Sequence, residues 1–381
     1  MRISFKREEI LEGIQKIASI LPQKSGAAFL RTVWIKSENN NLNFLATDSN
    51  IEIICNYPAQ VYEPGLIGVQ GKIFADLIKK MNPGEIIIEL KEQKIIIKQG
   101  KNKYTIPVVE SSWFQELQNF PEENKQIWSG DIFKEIIDRV YFCICDDETM
   151  GAMTCLSIKK GQQFGEVEFC GLNGPKLAVF QLDNDDIYNT IPDSGILIHK
   201  KIVNELKKIL PENEIELNIT PDKLFIRTID KKEMYSFPLS SYEFPKYNEF
   251  VDKYQNKLNS ILTIDRKLLI DSLDRLLLFN TSSKSTIFQI SENNLILKAY
   301  GSELGEAEEV LPCTYNGKLE NITLLTKDAI EILDHFNSNL VKFCFSDNSS
   351  EPFKVEGEDE FKYFIFAMPV EIREENYYSE E

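Results

Sequence analysis

Cys170-Gly-Leu-Asn-Gly-Pro-Lys-Leu-Ala-Val-Phe180 reads as a strand, a tight turn at Asn173-Gly174 and a second strand. Asn-Gly between two apolar runs is a strong hairpin signal, because both residues tolerate positive φ. Alone it marks only a β-hairpin. Its weight comes from similar pieces on either side. One is Leu45-Ala-Thr-Asp-Ser-Asn-Ile-Glu-Ile53, and a looser one is Ala299-Tyr-Gly-Ser-Glu-Leu-Gly-Glu-Ala-Glu-Glu-Val310. The three stand about 130 residues apart, the spacing of a long internal repeat.

Working outward, each third opens on an amphipathic helix. Its apolar positions are Ile10, Leu11, Ile14, Ile17, Ala18 and Leu21 in the first, and Ile132, Phe133, Ile136, Ile137 and Val140 in the second. In the third they are Leu268, Leu269, Leu273, Leu276 and Leu277. A second helix follows midway, over 72–80, 201–209 and 327–333. Alternating β runs lie between, and a β segment closes each third, over 104–109, 235–239 and 363–369. Polar linkers are expected at 120–126 and 252–257. Three unrelated α+β domains would also give helices and strands, but the same element order three times favours a triplicated domain. Each third holds two helix-plus-strands halves, so each domain is open to a further doubling.

The chain has 381 residues, enough for two or three domains of about 100–200 residues each. No apolar run reaches the roughly 18 residues of a membrane span, and Met1-Arg-Ile-Ser-Phe5 leads into a charged helix, which argues against a signal peptide. Cys55, Cys143, Cys145, Cys155, Cys170, Cys313 and Cys344 lie mostly in apolar runs, as buried thiols of a reducing cytoplasm do. Cys143-Ile-Cys145 is too tight for the usual zinc pair, and His199 and His335 are the chain's only histidines. No metal or cofactor is expected. The net charge of −17 argues against nucleic-acid binding on an open face.

Six markers now fall in order: Thr47-Asp-Ser-Asn-Ile-Glu52, Gly174-Pro-Lys-Leu-Ala178, Phe244-Pro-Lys-Tyr247, Glu306-Ala-Glu-Glu309, Thr314-Tyr315 and Met368-Pro369. Together they resemble the bacterial DNA polymerase sliding clamps, the beta subunits of the polymerase III holoenzyme, from Met1 to about Ile372. The resemblance implies an α+β fold of three clamp-type domains, 1–122, 127–253 and 257–372, each with two helices on antiparallel sheets. It implies a head-to-tail homodimeric ring around double-stranded DNA that holds the replicative polymerase, with no catalytic residues. A clamp loader and other clamp-binding proteins are implied partners, through short peptide motifs. A ring linked to DNA needs only weak phosphate contacts, which accommodates the acidic balance.

The resemblance also assigns residues. Lys24, Lys72, Lys79, Lys80, Lys200, Lys201, Lys207 and Lys208 are expected to face DNA; ordinary solvated helix faces are the plain alternative. Lys94, Lys98, Lys101, Lys103 and Val108 at one end, with Leu277, Leu278, Glu303, Glu306, Glu308 and Glu309 at the other, are expected at the subunit joint. Charged edge strands that deter aggregation are the alternative there. Met153, Leu172, Gly174, Pro175, Leu177, Pro245, Phe250, Phe366, Met368, Pro369 and Val370 are expected to form a partner-peptide pocket, some of them as domain-junction core. Departures from the family pattern at Met150-Gly-Ala152, Glu249 and Glu371 leave that pocket less basic. An acidic tail, 373–381, is expected to screen or occupy the pocket, or to be an inert solubilising segment. A divergent clamp paralogue and an enzyme on a triplicated scaffold remain the competing readings. Against the enzyme stand the lack of a Gly-rich phosphate loop, a histidine acid–base pair and a Gly-x-Ser-x-Gly elbow.

Overall fold

A computed structural model describes residues 1–22, 27–280, 284–301, 305–360 and 362–370. Lys24, Glu303 and the tail 373–381 lie outside the described residues. The helices are α1 (Arg7–Ile20), α2 (Gly71–Lys80), α3 (Gly130–Tyr141), α4 (Asp185–Thr190), α5 (Lys200–Ile209), α6 (Tyr247–Gln255), α7 (Arg266–Leu276) and α8 (Thr326–Asp334). All the strand pairings are antiparallel, and the class is α+β as the sequence pattern requires.

The chain divides into two compact units. One comprises Met1–Lys134, Asn189–Ile191 and Lys201–Ser240; the other comprises Glu135–Tyr188, Pro192–Lys200 and the residues from Ser241 onward. The residues expected to form a middle domain are therefore shared between them.

In the first unit one sheet takes thirteen strands. Its order is Gln126–Ser129, Glu214–Ile219, Lys223–Thr228, Glu233–Pro238, Glu52–Pro58, Asn41–Thr47, Thr32–Glu38, Gly65–Gln70, Asn102–Val109, Lys94–Gln99, Glu85–Lys91, Arg2–Lys6 and Gln60–Glu63. Strand 233–238 pairs directly with strand 52–58, Tyr235 opposite Ile53, so the sheet runs through an expected domain boundary. Ile86, Ile88, Ile95 and Ile97 alternate inward, the period-2 signature of a one-sided sheet. The α1 helix packs on α2 and on strand 52–58 through Ile10, Ile14 and Ile17. Gly13 permits that approach: a Cβ there would collide with the Tyr57 hydroxyl.

The expected linker at 120–126 is fastened. Phe120 is buried beneath the Arg227 guanidinium, 4.0 Å from its ring centre. Arg227 pairs with Glu122 at 2.7 Å and Glu216 at 2.5 Å, and Lys125 joins Glu216 at 2.6 Å. Hydrogen bonds from Arg227 and Lys125 hold the Glu122 carboxyl at about 2. A polar sequence here signals ion pairing rather than slack.

In the second unit a nine-stranded sheet runs Ile196–His199, Cys155–Lys160, Glu166–Leu172, Lys176–Asp183, Tyr363–Ala367, Phe353–Gly357, Leu340–Phe345, Ser260–Asp265 and Thr314–Asn316. A four-stranded sheet runs Gly305–Pro312, Asn294–Gly301, Ser285–Ile290 and Asn321–Leu325. The helices α7 and α8 pack on each other.

The hairpin at 170–180 forms, but its loop lies one residue later than expected. Leu172 pairs with Leu177, and the Asn173 N–H donates to the Lys176 carbonyl at 3.1 Å. The two central residues are thus Gly174, at φ +94°, and Pro175. Positive φ at the first central position suits glycine, and the ring-fixed φ of proline suits the second. Asn173 instead accepts the Lys176 N–H on its side chain at 3.0 Å.

Two helices are not legible as such in the sequence: α4, and α6, which occupies the start of the expected linker at 252–257. Among the expected helix-face residues, Ile132 and Leu268 are exposed, while their neighbours Phe133 and Leu269 are buried.

Candidate functional site

An apolar cavity is built by four short stretches of the second unit. Strand 176–183 lies against strand 363–367 with Leu177 opposite Phe366. The hairpin loop contributes Gly174 and Pro175, and α6 lies alongside with Pro245 just before it. The cavity holds about 220 Å³ and is lined by Leu172, Gly174, Pro175, Leu177, Pro245, Lys246, Tyr247, Phe250, Phe366, Ala367 and Met368. Eight of the expected pocket residues meet there.

Met153, Pro369 and Val370 do not line it. The Met153 carbonyl accepts from Cys145 N–H at 2.9 Å, and the Val370 N–H donates to the Thr323 carbonyl at 2.9 Å. Sequence reasoning missed Lys246, Tyr247 and Ala367, although the first two stand in the marker Phe244-Pro-Lys-Tyr247, because the short polar run of α6 shows no helical periodicity.

The walls are fixed by packing and by buried polar bonds. The Phe250 ring meets Phe366 edge-on at 5.6 Å, and Phe244 meets Tyr247 edge-on at 6.1 Å. The Tyr247 hydroxyl donates to Glu168 at 2.7 Å, and Lys159 sits 4.1 Å from the Tyr247 ring centre while donating to Asn248 at 2.7 Å. Burial, reinforced by Cys170 and Glu168, pushes the Tyr247 phenol far above its ordinary range. At the foot of the strand, Lys176 is buried and its ammonium pairs with Asp328 at 3.3 Å and with Glu331. Met368 caps the cavity, partly exposed, its N–H donating to the Pro175 carbonyl at 3.0 Å.

The described residues expected at the joint lie on the 94–109 hairpin of the first unit, and on strand 305–312 and the two residues after α7 of the second. Lys94, Lys101 and Lys103 are exposed on the hairpin of strands 94–99 and 102–109, where Lys98 stands opposite Lys103 and pairs with Glu89 at 3.0 Å. Strand 102–109 meets strand 65–70 only through Val108 and Val109; among the described residues no strand covers that side of 102–107. In the other unit, strand 305–312 is the edge of the four-stranded sheet. Glu308 pairs with Lys298 at 3.2 Å and Glu309 with Arg275 at 2.6 Å, while Glu306 has no ion-pair partner among the described residues. Leu278 is 69% exposed, and Leu277 and Val108 are half-buried.

The lysines expected to face DNA divide into two sets. Lys72, Lys79 and Lys80 stand exposed on α2, and Lys201 is exposed on α5. Lys200 is held: its ammonium donates to the Ile144 carbonyl at 2.5 Å and pairs with Asp146 at 2.7 Å. Lys208 pairs with Glu205 at 2.6 Å, and Lys207 is half-buried. Among the described residues no group of three His, Cys, Asp or Glu side chains is placed to hold a metal ion, and no helix is long and apolar enough to cross a membrane.

Comparison with known proteins reaches most of the chain. The family model for the DNA polymerase III beta subunit N-terminal domain matches residues 1–118, and that for its C-terminal domain matches 256–371. The beta sliding clamp of Pseudomonas aeruginosa is 22% identical over 98% of this chain and all of its own length. That of Chlamydia pneumoniae is 25% identical over 91% of this chain and 93% of its own. The solved sliding clamp of Pseudomonas aeruginosa superposes with a TM-score of 0.86 over 98% of this chain and all of that one, at 22% identity. The Caulobacter crescentus clamp gives 0.87 over the same shares, at 19%.

Matches at both ends of the chain and across its fold define a replication processivity subunit, a protein without catalysis of its own. The chain belongs to the DNA polymerase III beta-subunit family, the bacterial beta sliding clamps, whose task is to tether the polymerase to DNA. Membership carries DNA, a polymerase and a second clamp subunit as partners.

Proposed function

We propose that this clamp holds its polymerase through the apolar pocket beside α6, which takes a short apolar-aromatic segment of the partner. The observation that carries this is the cavity itself. It is preformed and lined by aliphatic, aromatic and methionine side chains around a single charged one, a lining suited to short peptides. The clamp loader and other clamp-binding proteins would use the same pocket.

Three domains, 1–122, 127–253 and 257–372, build each subunit on this reading. Two subunits close head to tail, which demands two different complementary edges. The uncovered, lysine-bearing side of strand 102–109 and the glutamate-bearing edge strand 305–312 supply them. The bore is lined by Lys72, Lys79, Lys80 and Lys201. Lys201, in the first turn of α5, adds its positive charge to that helix's N-terminal end, a placement that suits a phosphate ligand. The protein works in the cytoplasm, on DNA.

Light scattering should give twice the 44.0 kDa chain mass. A fluorescent peptide from the polymerase should bind the wild type and lose at least about tenfold in affinity on Phe250→Asp, which buries a charge in the pocket. A strict monomer would remove the ring, and unchanged peptide binding would remove the pocket.

A further inference from the structure

We propose that a second, polar cavity along α6 binds a short aliphatic diamine, with Glu166 and Asp252 taking its two ammonium groups. The cavity lies within the second unit and holds about 410 Å³, in the range of small-molecule sites. Strand 166–172 supplies Glu166 and Glu168, and α6 supplies Val251 and Asp252. Lys354 and Phe364 come from strands 353–357 and 363–367. Five of the lining side chains are primary amides, whose oxygens accept from N–H donors.

The charges on the lining fall into two sets. Glu168 pairs with Lys159 at 3.3 Å, and Lys354 with Glu356 at 2.6 Å. Glu166 and Asp252 have no ion-pair partner among the described residues. Glu166 is only 8% exposed, and its one side-chain hydrogen bond among the described residues is a long one, from the Gln162 N–H to Oε1 at 3.3 Å. Close packing fixes it there, since a Cβ at Gly161 would collide with the same oxygen. A carboxylate taken this far out of water needs a cation to offset its desolvation, and the cavity admits one. Asp252 is exposed, so the second lone charge stands on the solvent side of the same cavity. One ammonium would answer Glu166 and leave Asp252 alone. A diamine answers both, its methylenes lying on Val251 and Phe364. A metal ion finds no set of three carboxylate, thiol or imidazole ligands among the described residues.

The test is calorimetric titration of the full-length protein at low salt with putrescine, butylamine and the diol of the same four-carbon chain. Putrescine should bind about threefold more tightly than butylamine, the worth of the exposed second pair, and the diol should not bind. Glu166→Gln should cost about tenfold in putrescine affinity, as a charged hydrogen bond in a buried place is lost. Asp252→Asn should cost about threefold, an effect that closes as salt is added. Glu212→Gln removes an exposed carboxylate from the other unit and should change nothing. An equal loss on Glu212→Gln would mean general attraction of cations to an acidic chain, and overturns the site. Equal binding of putrescine and butylamine, or no binding of putrescine, overturns it too. Should urea unfolding show that Glu166→Gln does not fold, Asp252→Asn on the surface decides, and unchanged putrescine affinity there overturns the site.

Discussion

The Tyr247 hydroxyl donates to the Glu168 carboxylate at 2.7 Å, and both side chains are buried. This bond ties the first residue of α6 to strand 166–172, and so sets the wall that Tyr247 and Phe250 give to the pocket.

Tyr247→Phe keeps the ring and deletes the bond. Glu168 retains Gln181 at 2.9 Å and Lys159 at 3.3 Å, so its charge is not orphaned. The expected loss is about 1.5–3 kcal/mol in urea unfolding, the worth of a hydrogen bond to a charged group. Peptide affinity should fall as well. A destabilised variant with unchanged peptide binding would show that α6 holds its place without Tyr247.

Arg139 and Glu360 form a second buried anchor. Burial opposes ionisation of Glu360, but donors from Arg139 and Ser338 outweigh it and hold its carboxyl below the ordinary range. The same balance lowers Glu216, where Lys125 and Arg227 are the donors. Carboxyls lowered in the fold contribute stability that is present above the unfolded value of about 4.3 and lost as pH falls through the folded one. Stability should therefore decline below about pH 4.5. Arg139→Met should cost about 3 kcal/mol at neutral pH, since Glu360 would be left without its cation. Chemical denaturation across pH checks both, and a flat acid limb would contradict them.

Thiol chemistry should be sparse. Burial pushes the Cys55, Cys143 and Cys170 thiols up, and lifts Cys344 to about 11. Cys155 is buried too, while Cys145 and Cys313 are partly exposed. Iodoacetamide on the native protein at mildly alkaline pH should add at most two groups by mass spectrometry, at Cys145 and Cys313. Early labelling of Cys170 would mean that strand 166–172 opens readily.

Periodicity carried most of the fold, since Ile10, Ile14 and Ile17 or Ile86 and Ile88 announce their burial by spacing alone. It did not carry α6, where Tyr247-Asn-Glu-Phe-Val-Asp-Lys-Tyr-Gln255 buries only Tyr247 among otherwise partly or fully exposed residues. With α6 went Lys246 and Tyr247 of the pocket. Nor does local sequence state that strand 233–238 pairs with 52–58, or 176–183 with 363–367, because such pairings are decided between segments far apart. Ion pairs are equally silent: nothing around Lys200 announces that Asp146 and the Ile144 carbonyl claim its ammonium.

Glu306 gives the cleanest test of the joint. Reversing Glu308 or Glu309 would also break pairs with Lys298 or Arg275 inside the chain. Glu306→Lys should weaken the dimer, most at low salt, and Lys103→Glu in the same chain should restore part of the loss. Sedimentation across protein concentration measures it. No change on Glu306→Lys would separate this edge from the joint.

The last test concerns the lysines proposed to line the bore. Lys72, Lys79 and Lys80 are exposed, whereas Lys200 is bound to Asp146 and the Ile144 carbonyl and carries only 13% side-chain exposure. Their neutral variants should therefore fail differently. Removing Lys72, Lys79 and Lys80 together should leave thermal stability and dimer mass unchanged, while retention on closed circular DNA falls and becomes less salt-dependent. Each phosphate that the variant no longer neutralises takes roughly one unit from the salt slope. Lys200→Met should do the reverse, lowering stability by about 1 kcal/mol through the missing charged hydrogen bonds and altering DNA retention little. If Lys200→Met depresses retention as much as the threefold variant at unchanged stability, its ammonium leaves Asp146 for a phosphate when DNA is present, and the division drawn between the two sets is wrong.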